Sequence, residues 1–378
     1  MASRKTKKSK KVSQFVNNQF DFILCVSVLL LLASGIIMVL SASSPSALSK
    51  TGSSYTYVIR QLGFGIAGIG LMALASKIDY RFYKKFYKLG YFISLILLII
   101  VPIMGSGAKG AVRWIEIGIL RFQPSEVVKL LLIIFFAVHL TNQKEEIRTF
   151  KGFIINYVLL APTLVILAVF QEHLSATVII LAIVTIMMLV AGSKINHFIT
   201  MIPIGMVGIA ALLFKGAEFR LARIFSFLDP WADARETGWQ AIQSLYAIGS
   251  GGIFGTGLGE STQKYLYISE PHNDFIFSVI AEELGFIGCV FVIALFGIFI
   301  WRGIIIATKA PDTFGSLLAI GITAMIGLQA IINMGVVTSL LPVTGMALPF
   351  ISYGGTSLLL LLASVGVLLN ISRASSKI

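Results

Sequence analysis

The sequence predicts an all-α polytopic membrane protein of about ten transmembrane helices, with one large extracytoplasmic loop between spans seven and eight. Three observations carry that expectation. Hydrophobic residues fill 57% of the 378 positions, and with 35 glycines the apolar share reaches about two thirds, against roughly 45–50% in a soluble domain. Charged residues make up 12%, about half the usual share, too few to cover a large wetted surface. Apolar windows of about 20 residues, the length that crosses a bilayer, recur from end to end.

These windows run over 22–41, 61–76, 88–104, 124–141, 153–170, 174–191, 198–214, 275–301, 315–337 and 348–370. The first follows a Lys-rich leader, residues 1–21, and its apolar core is longer than the roughly 7–15 residues of a secretory signal. It is expected to remain as a helix with the leader in the cytoplasm, and ten spans then place both termini inside. On this orientation 19 Lys and Arg fall on the cytoplasmic side and 10 outside, as the positive-inside rule requires. Topology thus accounts for the net charge of +13 without a nucleic-acid partner. Cys25 and Cys289 both lie in apolar runs, where they pack as small hydrophobes.

Residues 22–378 are expected to form a single transmembrane domain, in which 215–273 is the large extracytoplasmic loop. Trp231, Trp239, Tyr246, Tyr265 and Tyr267 argue that this loop is at least partly ordered. The phosphate-loop pattern G-x-x-x-x-G-K-[ST] is absent, so the chain is not expected to hydrolyse ATP.

Of 17 acidic residues, five fall on the cytoplasmic side, three within spans and nine in outer connections, which points the chemistry outward. Within spans, an unpaired charge costs roughly 2.5–3.5 kcal/mol on insertion scales, so Glu126, Glu282 and Glu283 need partners or a wet cavity. Gln123-Pro124-Ser125-Glu126-Val127-Val128-Lys129 opens the fourth span, and i,i+3 spacing sets Glu126 and Lys129 on one helix face. The pair either locks two helices together or borders a polar cavity. Arg113, next to Trp114, is a candidate phosphate ligand through its planar fork; an interfacial Arg-Trp anchor is the competing account. Glu282 and Glu283 are adjacent, so their carboxylates point about 100° apart and cannot share one partner. At least one is expected to brace a neighbouring helix.

The richest polar stretch is Ser261 to Phe275. Asp274 is its last polar residue before an apolar run, a natural helix cap and equally a candidate general base beside a lipid-facing cleft. His272 could join Asp274 at a metal, although four scattered histidines form no ligand signature. The glycines between Gly249 and Gly259 only loosely resemble a phosphate cradle and also suit a loop that turns tightly or re-enters the membrane.

Five stretches together resemble the SEDS family, the peptidoglycan glycosyltransferases that include RodA, FtsW and SpoVE. They are Gly110 to Ile115, Gln123 to Lys129, Gln240 to Gly252, Pro271 to Gly285, and Leu341 to Gly345 continuing through Leu348 to Ser357. The resemblance covers nearly the whole chain, and the closing text, with Leu369 to Arg373, favours the FtsW/SpoVE branch. It implies that lipid II is polymerised outside the cytoplasmic membrane into β-1,4-linked glycan, with undecaprenyl pyrophosphate leaving. It implies further that Asp274 is the catalytic residue, and that Arg113, Glu126 and Lys129 border its cavity. Gln243, Lys264, His272 and Ser352, in these motifs or the polar stretch beside them, complete the expected substrate-binding set. The partner implied is a class B penicillin-binding protein, a transpeptidase supplied by a separate chain. No cofactor is required by this chemistry; a divalent cation is an alternative to Arg113 and Lys129 for offsetting leaving-group charge.

The chain departs from the family text where many relatives carry two basic residues before the tryptophan and this chain has Val112-Arg113. It departs again where others read Gln-Pro-Asp-Leu-Gly and this chain reads Gln171-Glu172-His173-Leu174-Ser175. Three rival readings compete. A lipid II flippase would suit buried charges, but no repeat divides the chain into halves. A sugar transferase with acids in its first outer loop finds none between residues 42 and 60. A non-catalytic scaffold for a transpeptidase gives the charged face of the fourth span no purpose beyond packing.

Overall fold

The structure is a computed structural model that describes residues 20–108, 111–117, 120–214, 225–236, 238–265, 267–268 and 270–375. The leader up to residue 19 and the start of the long loop, residues 215–224, lie outside it.

Each of the ten apolar windows forms a helix. In chain order these are α1 (Phe22–Thr51), α2 (Thr56–Ala75), α3 (Tyr87–Met104), α4 (Pro124–Gln143), α5 (Phe150–Val165), α6 (Leu174–Val190) and α7 (Ile195–Phe214). After a shorter helix, α8 (Trp239–Gly251), come α9 (Ile276–Thr308), α10 (Thr313–Val337) and α11 (Gly355–Ser375). Among the described residues eight helices are long and apolar enough to cross a membrane, and the chain is a multi-pass membrane protein. α6, with 17 residues, is shorter, spanning about 25 Å at 1.5 Å per residue.

α4 and α10 sit at the centre. Val128, Leu132 and Phe136 recur every four residues along α4, as do Leu318, Ile322 and Ile326 on α10, and all six are at most 1% exposed. The i,i+4 repeat gives each helix a continuous apolar stripe, against which Ile179, Ile183 and Met187 of α6 pack. The lipid-facing helices α2 and α3 instead expose large apolar side chains such as Ile59, Ile66, Phe92 and Ile103, as hydrocarbon solvent permits.

Successive spans alternate in direction, so the molecule has two polar ends. At the end holding residues 75–81 and 370–373, charges close a clasp. Arg302 Nη2 meets Asp21 Oδ2 at 2.6 Å, and the Asp21 amide donates to Ser372 Oγ. Tyr80 and Arg81 both donate to Asp312, while Asn370 bridges Ser76 and Tyr80.

The opposite end carries two features that hydrophobic windows did not announce. Between α3 and α4 runs a small antiparallel sheet of β1 (Ser106–Ala108), β2 (Ala111–Ile117) and β3 (Leu120–Phe122), in the order β1-β2-β3. Ala111-Val112-Arg113-Trp114-Ile115-Glu116-Ile117 is rich in the β-branched and aromatic residues that favour strands. Second, the long connection before α9 is only partly a loop. α8 packs on α9, Trp231 and Tyr246 meet edge to face, and Trp239 Nε1 donates to the Tyr267 carbonyl.

Candidate active site

Asp274 stands just ahead of α9. The cap position is occupied by Phe275 without a side-chain capping bond, so the carboxylate is not engaged as the helix cap its position in the sequence suggested. Three bonds fix the backbone of residues 272–274. Asn333 Nδ2, near the end of α10, donates to the Asp274 carbonyl; Ser352 Oγ donates to the Asn273 carbonyl, and the Tyr353 amide donates to that of His272. The segment 348–353 is itself closed by Ser352, whose hydroxyl accepts from the Leu348 amide. Gly345, at φ 66°, brings backbone so close that a Cβ there would lie 3.3 Å from Asp274 Oδ2. Gly345 and Asn333 are thus part of the site's frame.

The Asp274 side chain makes no hydrogen bond or ion pair among the described residues. Burial above all, with the nearby charge of Glu270, pushes its pKa up to about 6 against the opposing pull of Arg113. Arg113 reaches the site from β2, where Nη2 donates to the Glu172 carbonyl at 2.8 Å. Glu172 and His173 lie in the turn before α6, after a widened π-helical turn, Ile166–Phe170, a geometry frequent at functional sites. His173 is buried, and burial together with the charges of Arg113 and Lys129 pushes its pKa down to about 3. Ser175 of α6 donates to the Thr344 carbonyl beside Gly345, which ties this turn to the Asp274 frame.

Lys129 completes the cluster. Pro124 occupies the first turn of α4 and Glu126 follows where a helix amino end favours an acid. Lys129 Nζ donates to Glu126 Oε1 at 2.8 Å, the lysine nearly enclosed and the glutamate partly open. Asp274, Arg113, Glu126 and Lys129 therefore gather at one end of the bundle, drawn from α9's approach, β2 and α4.

Other candidates serve the frame. His272 is 2% exposed and packs against Tyr57 at a tilt and Tyr353 edge-on, with ring centroids 4.7 and 5.8 Å away. Burial lowers its pKa, Glu270 raises it, and Lys50 lowers it. Ser352 is occupied by the two bonds given above. Gln243 is buried on α8 beside Ser244, whose hydroxyl donates to the Val337 carbonyl at the end of α10. Among the described residues no three His, Cys, Asp or Glu side chains converge as a metal-binding group.

Lys264 has a different setting from the substrate ligand expected. Its ammonium donates to Glu283 Oε1 at 2.9 Å, to Ser41 Oγ at 3.1 Å and to the Gly259 carbonyl at 2.6 Å. A lysine has three donors, and all are taken. The adjacent Glu282 accepts from Ser261 and Thr262 instead, so the two carboxylates brace different elements, as their angular separation demands. Between them and the rest of α9 the helix breaks at Gly285, φ 67° and ψ −162°. Into the break packs the glycine turn after α8: Thr256 and Gly257 amides donate to the Glu282 and Glu283 carbonyls, and the Phe286 amide donates to Gly252. A Cβ on Gly255 would strike the Glu283 carbonyl, and one on Gly285 would strike the Gly255 amide. Gly251, Gly255 and Gly285 therefore serve close backbone packing where this turn meets α9.

Fold and site together define a polytopic membrane protein with an isolated carboxylate and a cationic cluster at one end of its helical bundle. Residues 22–377 match the FTSW_RODA_SPOVE family model, described as cell cycle protein, and the chain belongs to this SEDS family. It is 44% identical to stage V sporulation protein E of Bacillus subtilis (strain 168), over 94% of this chain and 97% of that protein. It is 42% identical to a probable peptidoglycan glycosyltransferase FtsW of Geobacter sp. (strain M18), over 93% and 96%. Among solved structures, a chain from a peptidoglycan synthase complex that coordinates polymerization and crosslinking superposes with a TM-score of 0.77 at 27% identity, over 94% of this chain and 98% of that one.

Proposed function

We propose that this chain is a peptidoglycan glycosyltransferase that polymerises lipid II into β-1,4-linked glycan at the outer face of the cytoplasmic membrane, with both termini in the cytoplasm. The observation that carries the reading is Asp274: a carboxylate without a partner among the described residues, held beside Arg113, at one end of a bundle whose relatives bear that enzyme name.

The chemistry needs few parts. Lipid II already contains a leaving group, undecaprenyl pyrophosphate, so no ATP site is called for. Asp274 accepts the proton of the acceptor's 4-hydroxyl as that oxygen attacks C1 of the donor sugar. The pyrophosphate departs from the opposite face, so an α-linked donor becomes a β-glycoside with inversion. A base whose pKa lies near working pH combines a useful basicity with a substantial ionised fraction, and a value of about 6 meets that condition better than an ordinary aspartate. Arg113 and Lys129 supply positive charge where the diphosphate leaves, and preorganised charge is most effective in such a water-poor setting.

The peptidoglycan synthase complex among the structural relatives supports a class B penicillin-binding protein as the partner, linking the strands that this chain polymerises. The test is polymer formation from purified lipid II by Asp274→Asn with the partner present. Loss of polymer with the fold intact supports the assignment. Substantial retained activity refutes Asp274 as base, and lipid II transport without polymer by the unaltered protein would favour a flippase.

A further inference from the structure

One buried polar side chain beside the site has no role in the chemistry above. His173 is 4% exposed and its Nδ1 has no hydrogen-bond partner among the described residues. It occupies the cap position of α6 without making a side-chain capping bond. Leaving a buried ring nitrogen unmet is unfavourable, so its placement calls for an explanation.

The backbone imposes that placement. The His173 amide donates to Leu167 across the π-helical turn at 2.8 Å. Glu172 before it has φ 50°, a left-handed conformation that a non-glycine residue adopts when its surroundings over-determine it. The Glu172 carbonyl accepts Arg113 Nη2, so the turn fixes an arginine and an imidazole together. The charges of Arg113 and Lys129 both bear on the ring and, with burial, keep it uncharged. The amino end of the 17-residue α6, with the unpaired N–H groups and positive dipole end of any helix start, lies at the same place.

We propose that His173 is a phosphate-contacting residue, its Nδ1–H donating to the diphosphate of a polyprenyl-linked sugar donor held by Arg113, Lys129 and the amino end of α6. This rests on the reading of the chain as a glycosyltransferase using such a donor. A carboxylate in this position would compete with the diphosphate for the two cations. A neutral imidazole adds a directed donor and leaves their charge to the ligand. No covalent bond changes at the ring; its effect is on binding.

The test uses the full chain in detergent or nanodiscs, with undecaprenyl diphosphate as the binding probe and undecaprenyl monophosphate as comparator. His173→Ala should weaken diphosphate binding by about tenfold or more, the scale of a hydrogen bond to a charged group, and raise KM for lipid II more than it lowers kcat. His173→Asn, whose amide nitrogen can occupy the place of Nδ1, should bring binding back to within about threefold of the unaltered protein on the same ground. Thermal melting of each variant reports the fold, and if His173→Ala fails to fold, His173→Gln against His173→Asn supplies the contrast, Asn binding more tightly. Unchanged binding in a folded His173→Ala overturns the inference, as does equal weakening in the Ala and Asn variants, the mark of a packing role. The unaltered protein's polymer assay reports separately on the glycosyltransferase reading: polymer with unaltered binding in His173→Ala sinks only the phosphate contact, while no polymer sinks the reading beneath it.

Discussion

Two groups of charges flank the start of α9, and they are built on opposite plans. Around Glu282 and Glu283 the charged groups all find partners: Lys264 uses three donors, and Ser41, Ser261 and Thr262 supply hydroxyls to the two carboxylates. Around Asp274 the backbone is equally well tied, by Asn333 and Ser352, but the carboxylate itself has no hydrogen bond among the described residues. Burial without a fixed partner is unfavourable for an ionised group, and it persists here on a backbone that is firmly held. Saturation marks the charges that hold the helices together. The unsatisfied carboxylate marks the place where we propose that the chemistry is done.

The contrast can be broken from either side. Asp274→Asn should produce the largest effect, a fall in polymerisation of about 10²–10⁴-fold, the range for losing a general base. Because a raised pKa means that ionisation at neutral pH opposes folding, this variant should melt no lower than the unaltered protein, which differential scanning fluorimetry can check. Glu283→Ala should do the reverse, stranding the Lys264 ammonium and removing about 3–5 kcal/mol of stability. Adding Lys264→Met to it should recover much of the loss, since replacing both partners removes the stranded charge. Gly285→Ala should cost about 1–3 kcal/mol, because φ 67° strains a side-chain-bearing residue and Gly255 blocks the new methyl. Smallest in its effect on activity is Arg302→Ala in the clasp at the far end: it strands the buried Asp21 carboxylate, so melting should drop while KM for lipid II stays the same.

How much of this was legible in the sequence follows the range of each interaction. The ten helices were readable because bilayer thickness imposes a length on each apolar run. Glu126 and Lys129 were readable because i,i+3 spacing is local, and the separate bracing roles of Glu282 and Glu283 followed from helix geometry. The pairing of Lys264 with Glu283 was not readable, since it depends on a helix break at Gly285 and on a glycine turn docked into it. The strand character of residues 111–117 was present in their composition but was hidden by the surrounding helical pattern. His173 stood in a stretch that departs from the family text, but its burial beside Arg113 and Lys129 was not readable: it arises from a π-helical turn and a left-handed Glu172, neither of which has a spacing signature.

The pH dependence of kcat/KM for lipid II polymerisation, measured in the unaltered protein and in Glu270→Gln, tests the central claim most directly. A base must be ionised to act, so the rate should rise with pH through an acid limb near pH 6. Removing the Glu270 charge, which raises the Asp274 pKa, should move that limb to lower pH. A profile flat across this range, or a limb that stays in place in Glu270→Gln, would contradict the assignment of Asp274 as the base.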